Sequence, residues 1–300
     1  LSALRQKNKY NWLSSIADER LNLQAKDGST WSPKNYDGEF HGNVSLITAL
    51  TQSYNLATVR LGLDVGFPAI NDSLKRLGIK HDIPPYPAIL LGATELTPFE
   101  TAQMYQTLAA NGFRSSLRAI REVLDAGGQP LRRYPIQVEQ ALDSDLVQTL
   151  NSGLIQVIER GTASRIRGRL PKDMFYAGKT GTTNDTRDSW FAGYSAAHLG
   201  VVWLGTDDNQ PTGLTGSSGA LSLWGEIFDK LTTSGLSFDE SGELELHWVD
   251  PVAMKRSGRE CDNAMLLAFL PGTAPQESVD CAKNTDGVNK TINWFKNLFR

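Results

Sequence analysis

Apolar residues recur at helical spacing in four stretches of the chain. In the first, Val44, Ile47 and Leu50 follow Asn43, which predicts a helix capped at Asn43 and ending near Asn55. The second opens at Thr97, where Thr97, Pro98 and Glu100 supply a capping hydroxyl, a proline at the first helical position and the carboxylate of a capping box. Ala102, Tyr105, Leu108 and Ala109 form its inward stripe, and Gly112 stops it. The third runs from Asp143 to Arg160, with Leu146, Leu150, Leu154, Val157 and Ile158 facing inward and Gly161 as its stop. In the fourth, Asp286 to Arg300, the residues Val288, Ile292, Phe295 and Phe299 oppose Lys290, Lys296 and Arg300, an amphipathic helix expected to dock on the domain, the alternative being a membrane-surface or partner helix.

Shorter runs read as strands. Arg118 to Leu124 and Pro130 to Arg133 flank the turn Asp125-Ala126-Gly127-Gly128 and predict a hairpin. Phe175 to Thr180, Ser189 to Tyr194 and His198 to Gly205 follow one another too closely for crossover helices, so they are expected to pair antiparallel. The fold class is α+β, an antiparallel sheet flanked by helices. One domain is expected over residues 1–235. Residues 236–300 turn acidic and turn-rich and read as a C-terminal extension with a cysteine pair and the terminal helix.

With 40% hydrophobic and 21% charged residues, the chain can bury a sizeable core. Its net charge of -3, with no run of basic residues longer than a pair, leaves no general attraction for a phosphate backbone, so nucleic acid is not an expected partner. No apolar run reaches membrane-spanning length. The four histidines, His41, His81, His198 and His247, are isolated in sequence, and no C-x-x-C or H-E-x-x-H occurs, so no metal or other cofactor is expected. Cys261 and Cys281 are the only cysteines; they read either as a disulfide closing a short loop or as two unrelated buried thiols.

Chemistry concentrates at Lys179-Thr180-Gly181-Thr182, at the end of an expected strand. A fixed cation, two small hydroxyls and a glycine on a sheet edge suit an extended peptide ending in a carboxylate: Lys179 supplies charge, Thr180 and Thr182 donate hydrogen bonds, and Gly181 lets the backbone approach. The tripeptide alone is also compatible with an ordinary polar strand end. Ser53-Tyr54-Asn55 is weaker still, and unaided it reads as a turn at a helix end.

Together and in this order, Ser-x-Asn followed by Lys-Thr-Gly resembles the motif set of penicillin-binding proteins and class A β-lactamases, whose third element is S-x-x-K. Neighbouring strings sharpen the resemblance: Trp31 to Gly38, Ala49 to Val59, Leu91 to Pro98, Arg160-Gly161-Thr162-Ala163 and Asp188 to Tyr194 are similar to the transpeptidase domain of bifunctional class A penicillin-binding proteins. The cysteine-bearing tail and Asp286-Gly287-Val288 are similar to the type-1b branch of Gram-negative bacteria. No serine is followed three positions later by lysine. In the family that pair lies on a helix just ahead of the region resembling Leu1 to Leu4, so the nucleophile is expected in a segment preceding the chain.

The resemblance implies a sheet flanked by helices with a helical subdomain, and acyl transfer from D-Ala-D-Ala stem peptides. It implies that Ser53 relays a proton with Lys179, that Asn55 orients peptide and nucleophile, and that Thr180, Gly181 and Thr182 bind the terminal carboxylate and oxyanion. Expected ligands are peptidoglycan stem peptides and β-lactams; cell-wall synthesis proteins are further implied partners. The implied site of action is the periplasmic face of the bacterial inner membrane, with membrane contact only through an upstream anchor. That oxidising compartment favours the Cys261–Cys281 disulfide. The alternatives are a D-Ala carboxypeptidase and a non-catalytic peptidoglycan-binding pseudo-enzyme.

Overall fold

The structure, a computed structural model, describes residues 1–24, 28–238, 243–279 and 281. After turns through the first eleven residues, strand β1 (Ser15–Asp18) pairs antiparallel with β2 (Gly42–Ser45), placing Ile16 opposite Val44. Helix α1 (Leu46–Gln52) then starts two residues later than a cap at Asn43 would set it. Val44 is committed to the strand pair, and the Ser45 hydroxyl accepts the Thr48 N–H as the true cap. The helix also stops before Asn55. Ser53 adopts a left-handed conformation (φ 58°, ψ 44°), and α2 (Asn55–Val65) begins two residues on, followed by α3 (Phe67–Arg76).

Helix α4 (Pro98–Ala109) has the capping box its sequence predicts, with Thr97 and Glu100 each accepting the other's backbone N–H. The hairpin of β3 (Glu122–Leu124) and β4 (Pro130–Arg133) forms around Asp125, whose carboxylate accepts the Gly127 and Gln129 N–H groups. It stands largely in solvent.

Helix α5 (Ser144–Glu159), capped by Asp143, is the centre of the molecule. Its expected apolar stripe is buried, and so is nearly every other side, including Gln148, Thr149, Asn151 and Ser152. The reason is that two sheets cover it. On one side lie β5 (Ala177–Thr182), β6 (Ser189–Tyr194) and β7 (Leu199–Leu204), antiparallel in the order β7-β6-β5, with β5 at the edge. Tyr194 of β6 donates its hydroxyl proton to Asn151 Oδ1 at 2.6 Å. Helix α6 (Ala220–Phe228) packs on the sheet's other face, Trp224 stacking on Phe228 and meeting Phe191 edge-on.

The second sheet holds β8 (Glu245–Asp250), β9 (Lys255–Arg256) and β10 (Met265–Phe269), in the order β9-β8-β10. It hydrogen-bonds directly to α5: Ala268 N–H donates to Ser152 Oγ and Gln156 Nε2 to the Leu266 carbonyl. Val249, Met265, Leu267 and Phe269 share one core with Leu4, Trp12, Ile47 and Leu150. Residues beyond 235 are therefore not hung beside the domain; part of them closes its core. Cys261 and Cys281 are joined by a disulfide with Cα atoms 5.6 Å apart. The amphipathic stretch read at 286–300 lies outside the described residues.

Candidate functional site

The Lys179 strand and the α1–α2 junction meet on the helix-covered face of the first sheet. Period-two alternation puts Lys179 on the same face as Ala177, whose partner across the ladder is Tyr194, and that face carries α5. Lys179 Nζ reaches across it to donate to Ser53 Oγ at 2.8 Å, and donates also to the Thr180 carbonyl at 3.1 Å. The left-handed turn at Ser53 ends α1 and turns the serine toward the lysine. Lys179 is half-buried, and desolvation lowers its pKa from 10.5 to about 8. A lysine so placed exists in both protonation states near neutral pH, the condition for moving protons in either direction.

Thr180 and Thr182 lie on the opposite face of the same edge strand. The Thr180 hydroxyl shares a hydrogen bond with the Thr162 hydroxyl at 2.7 Å, and Thr182 Oγ1 accepts the Gly216 N–H at 2.9 Å. Gly216 can lie this close only without a side chain, since a Cβ there would sit 2.5 Å from the Gly181 carbonyl oxygen. As an acceptor, the Thr182 hydroxyl keeps its own proton to donate outward. Among the described residues no strand pairs the outer edge of β5, so its backbone groups can receive an added strand.

Asn55 is the first residue of α2, and its side-chain amide donates to the Lys34 carbonyl at 2.8 Å. The structure thus brings Ser53 and Lys179 into contact and turns the Asn55 amide onto the Trp31–Gly38 loop.

Two features escape the motif reading. Thr162 belongs to a string noticed only for its resemblance, yet its N–H donates to the Thr51 carbonyl while its hydroxyl meets Thr180, so it ties the end of α1 to the edge strand. His41, isolated in sequence, lies between two carboxylates: its Nδ1 is 2.7 Å from Asp18 Oδ2 and its Nε2 is 3.3 Å from Asp37 Oδ2. No signal in the sequence pairs His41 with a residue twenty-three positions away. Among the described residues no group of three or more His, Cys, Asp or Glu side chains could hold a metal ion.

Residues 5–232 match the family described as penicillin binding protein transpeptidase domain, and the chain belongs to that family. Penicillin-binding protein 1B of Vibrio cholerae is 36% identical over 313 residues, an alignment that takes in all of this chain and 38% of the relative. Two solved structures agree in fold. Penicillin-binding protein 1A of Haemophilus influenzae superposes with a TM-score of 0.80 at 22% identity, over 92% of this chain and 47% of that one. The PonA1 protein of Mycobacterium tuberculosis, solved in complex with penicillin V, gives 0.65 at 23% identity, over 79% of this chain and 68% of that one. The chain therefore spans well under half the length of the 1B-type relative it matches.

Proposed function

We propose that this chain supplies the substrate-binding and proton-relaying part of a D,D-transpeptidase site, and that the nucleophilic serine comes from an S-x-x-K segment outside these 300 residues. The observation that carries this reading is the Lys179–Ser53 hydrogen bond, formed by two motifs 126 positions apart in a chain of this family.

In this reaction the serine attacks the penultimate D-Ala carbonyl of a stem peptide. The Thr182 backbone N–H supplies one donor for the oxyanion, worth about 2.7–4 kcal/mol in comparable acyl-transfer sites. As the C–N bond breaks, Ser53 passes a proton to the departing D-Ala amine and recovers one from Lys179, whose lowered pKa makes that transfer accessible. The hydroxyls of Thr180 and Thr182 hold the terminal carboxylate and Gly181 admits the peptide backbone, while Asn55 orients the peptide and the nucleophile's lysine once its amide releases the Lys34 carbonyl. An amine from a neighbouring strand then takes the acyl group. No cofactor enters. β-Lactams occupy the site as mimics of the D-Ala-D-Ala terminus, consistent with the penicillin V complex of the PonA1 relative.

By likeness to the 1B-type relative, the reaction belongs to a bifunctional glycosyltransferase and transpeptidase on the periplasmic face of the inner membrane, working on peptidoglycan with other cell-wall synthesis proteins. Among the described residues no helix is long and apolar enough to cross a membrane. Without its nucleophile, the chain alone is inactive in acyl transfer.

The test is product analysis. A chain extended ahead of Leu1 by an S-x-x-K segment should release D-Ala from a pentapeptide stem and form the aminolysis product with an added amine. Lys179→Ala should slow this by 100-fold or more, roughly the scale of a general acid–base contribution. Release of D-Ala with hydrolysis only would assign the chain to carboxypeptidases. No release at all would favour a binding role.

A further inference from the structure

Between its two ends the Ser53-Tyr54-Asn55 turn is held by residues outside the motif. Helix α2 has no side-chain cap of its own at Tyr54, and its first N–H groups are taken by two distant side chains. Asn35, itself buried, accepts the Asn55 and Leu56 N–H groups at 2.8 and 3.2 Å. Asp18, with no exposed surface, accepts the Ala57 N–H on Oδ1 at 3.0 Å. Its other oxygen gathers Asn35 Nδ2 at 2.6 Å, the His41 backbone N–H at 3.2 Å and His41 Nδ1 at 2.7 Å. The His41 ring then lies flat on Tyr54, centroids 3.9 Å apart and planes within 12°.

A carboxylate excluded from water is tolerated only when donors surround it, and here every donor belongs to an element that borders the turn. The negative charge also sits at the N-terminus of α2, where the helix dipole favours it. The result is a rigid bracket: Asp18 fixes where α2 starts, and His41, tied to Asp18, fixes the ring between Ser53 and Asn55. We propose that Asp18 and His41 are positioning residues for the Ser53–Lys179 pair, acting through the helix start and the Tyr54 ring. This rests on the reading of Ser53 and Lys179 as the proton-relaying pair. Neither residue need touch substrate; their effect is on the placement of the serine, where small displacements are costly to catalysis.

The experiment uses the 300-residue chain and reads Lys179 itself, by titration of its 13Cε resonance, assigned through Lys179→Arg. The wild-type midpoint should fall near 8. Loosening the turn admits water to the ammonium, so His41→Ala should raise the midpoint by about one unit, a tenfold change in proton affinity. His41→Asn, which restores a donor toward Asp18 without the ring, should return part of the shift. Thr97→Ala, which weakens a helix cap far from the motif, should leave the midpoint in place. His41 is about a quarter exposed, so its replacement should leave the chain folded. If His41→Ala does not fold, Tyr54→Leu and His41→Asn must each raise the midpoint. A wild-type midpoint near 8 that His41→Ala, or in its place both of those variants, leaves within about 0.2 unit, a fifth of the expected shift, overturns the positioning role and spares the relay reading. A wild-type midpoint near 10.5 overturns both.

Discussion

Lys179 donates a 2.8 Å hydrogen bond from its ammonium to the Ser53 hydroxyl, and its pKa stands near 8 because the protein around it excludes water. The folded pKa lies below the unfolded value of 10.5, so folding disfavours the charged form. The penalty is fully present below pH 8 and is lifted as the pH rises from 8 toward 10.5.

This gives the first prediction. Lys179→Met removes the half-buried charge and should stabilise the chain at pH 7, by at most about 3 kcal/mol, the scale of the fall from 10.5 to about 8 before the two lost hydrogen bonds are set against it. The advantage should shrink as pH rises through the window from 8 to 10.5. Urea unfolding of both proteins at pH 7 and pH 10 measures it, and an advantage that does not shrink would place the ammonium in water.

Core packing gives a second. Gly153 lies mid-helix in α5, where alanine should gain about 1 kcal/mol of helix propensity. A Cβ there, however, would sit 2.4 Å from the ring of Trp12, which is itself buried. Overpacking typically costs about 1–3 kcal/mol, so Gly153→Ala should destabilise on balance. Thermal unfolding checks the sign; a raised midpoint would mean that the Trp12 ring moves aside freely.

The third concerns the Cys261–Cys281 bond, which closes a loop of sequence separation 20. Loop-closure entropy puts its contribution at about 3 kcal/mol. Cys261 is buried, four residues before the strand that covers α5, so reduction should lower the stability of the domain as a whole. Unfolding with and without reductant tests this: a single cooperative transition shifted downward is expected, and an unchanged transition would detach the loop from the core.

The chain announced some of this architecture plainly. Thr97, Pro98 and Glu100 mark a helix start because capping is local chemistry, complete within four residues. The Lys179 strand and the two strands that follow it were legible because their connections are too short for anything but antiparallel pairing. Other features depend on distant chain. Val44 fits a helix stripe and a strand equally well, and only its pairing with Ile16 decides the matter. Helix α5 looks one-sided in sequence because the layer that buries its polar face comes from residues 245–269, about a hundred positions later. The bracket on the Ser53 turn joins Asp18, Asn35 and His41, which no periodicity connects.

The most direct test of the whole account is labelling with a fluorescent penicillin, read on a denaturing gel. Acylation needs an activated serine, and Ser53 accepts a hydrogen bond from Lys179 but carries no lysine at helical spacing. The 300-residue chain should take up no label that survives boiling. The same chain extended ahead of Leu1 by an S-x-x-K segment should be labelled, and its Lys179→Ala variant should label far more slowly. A label on the unextended chain that survives denaturation and disappears on Ser53→Ala would contradict the account, because it would make Ser53 the nucleophile.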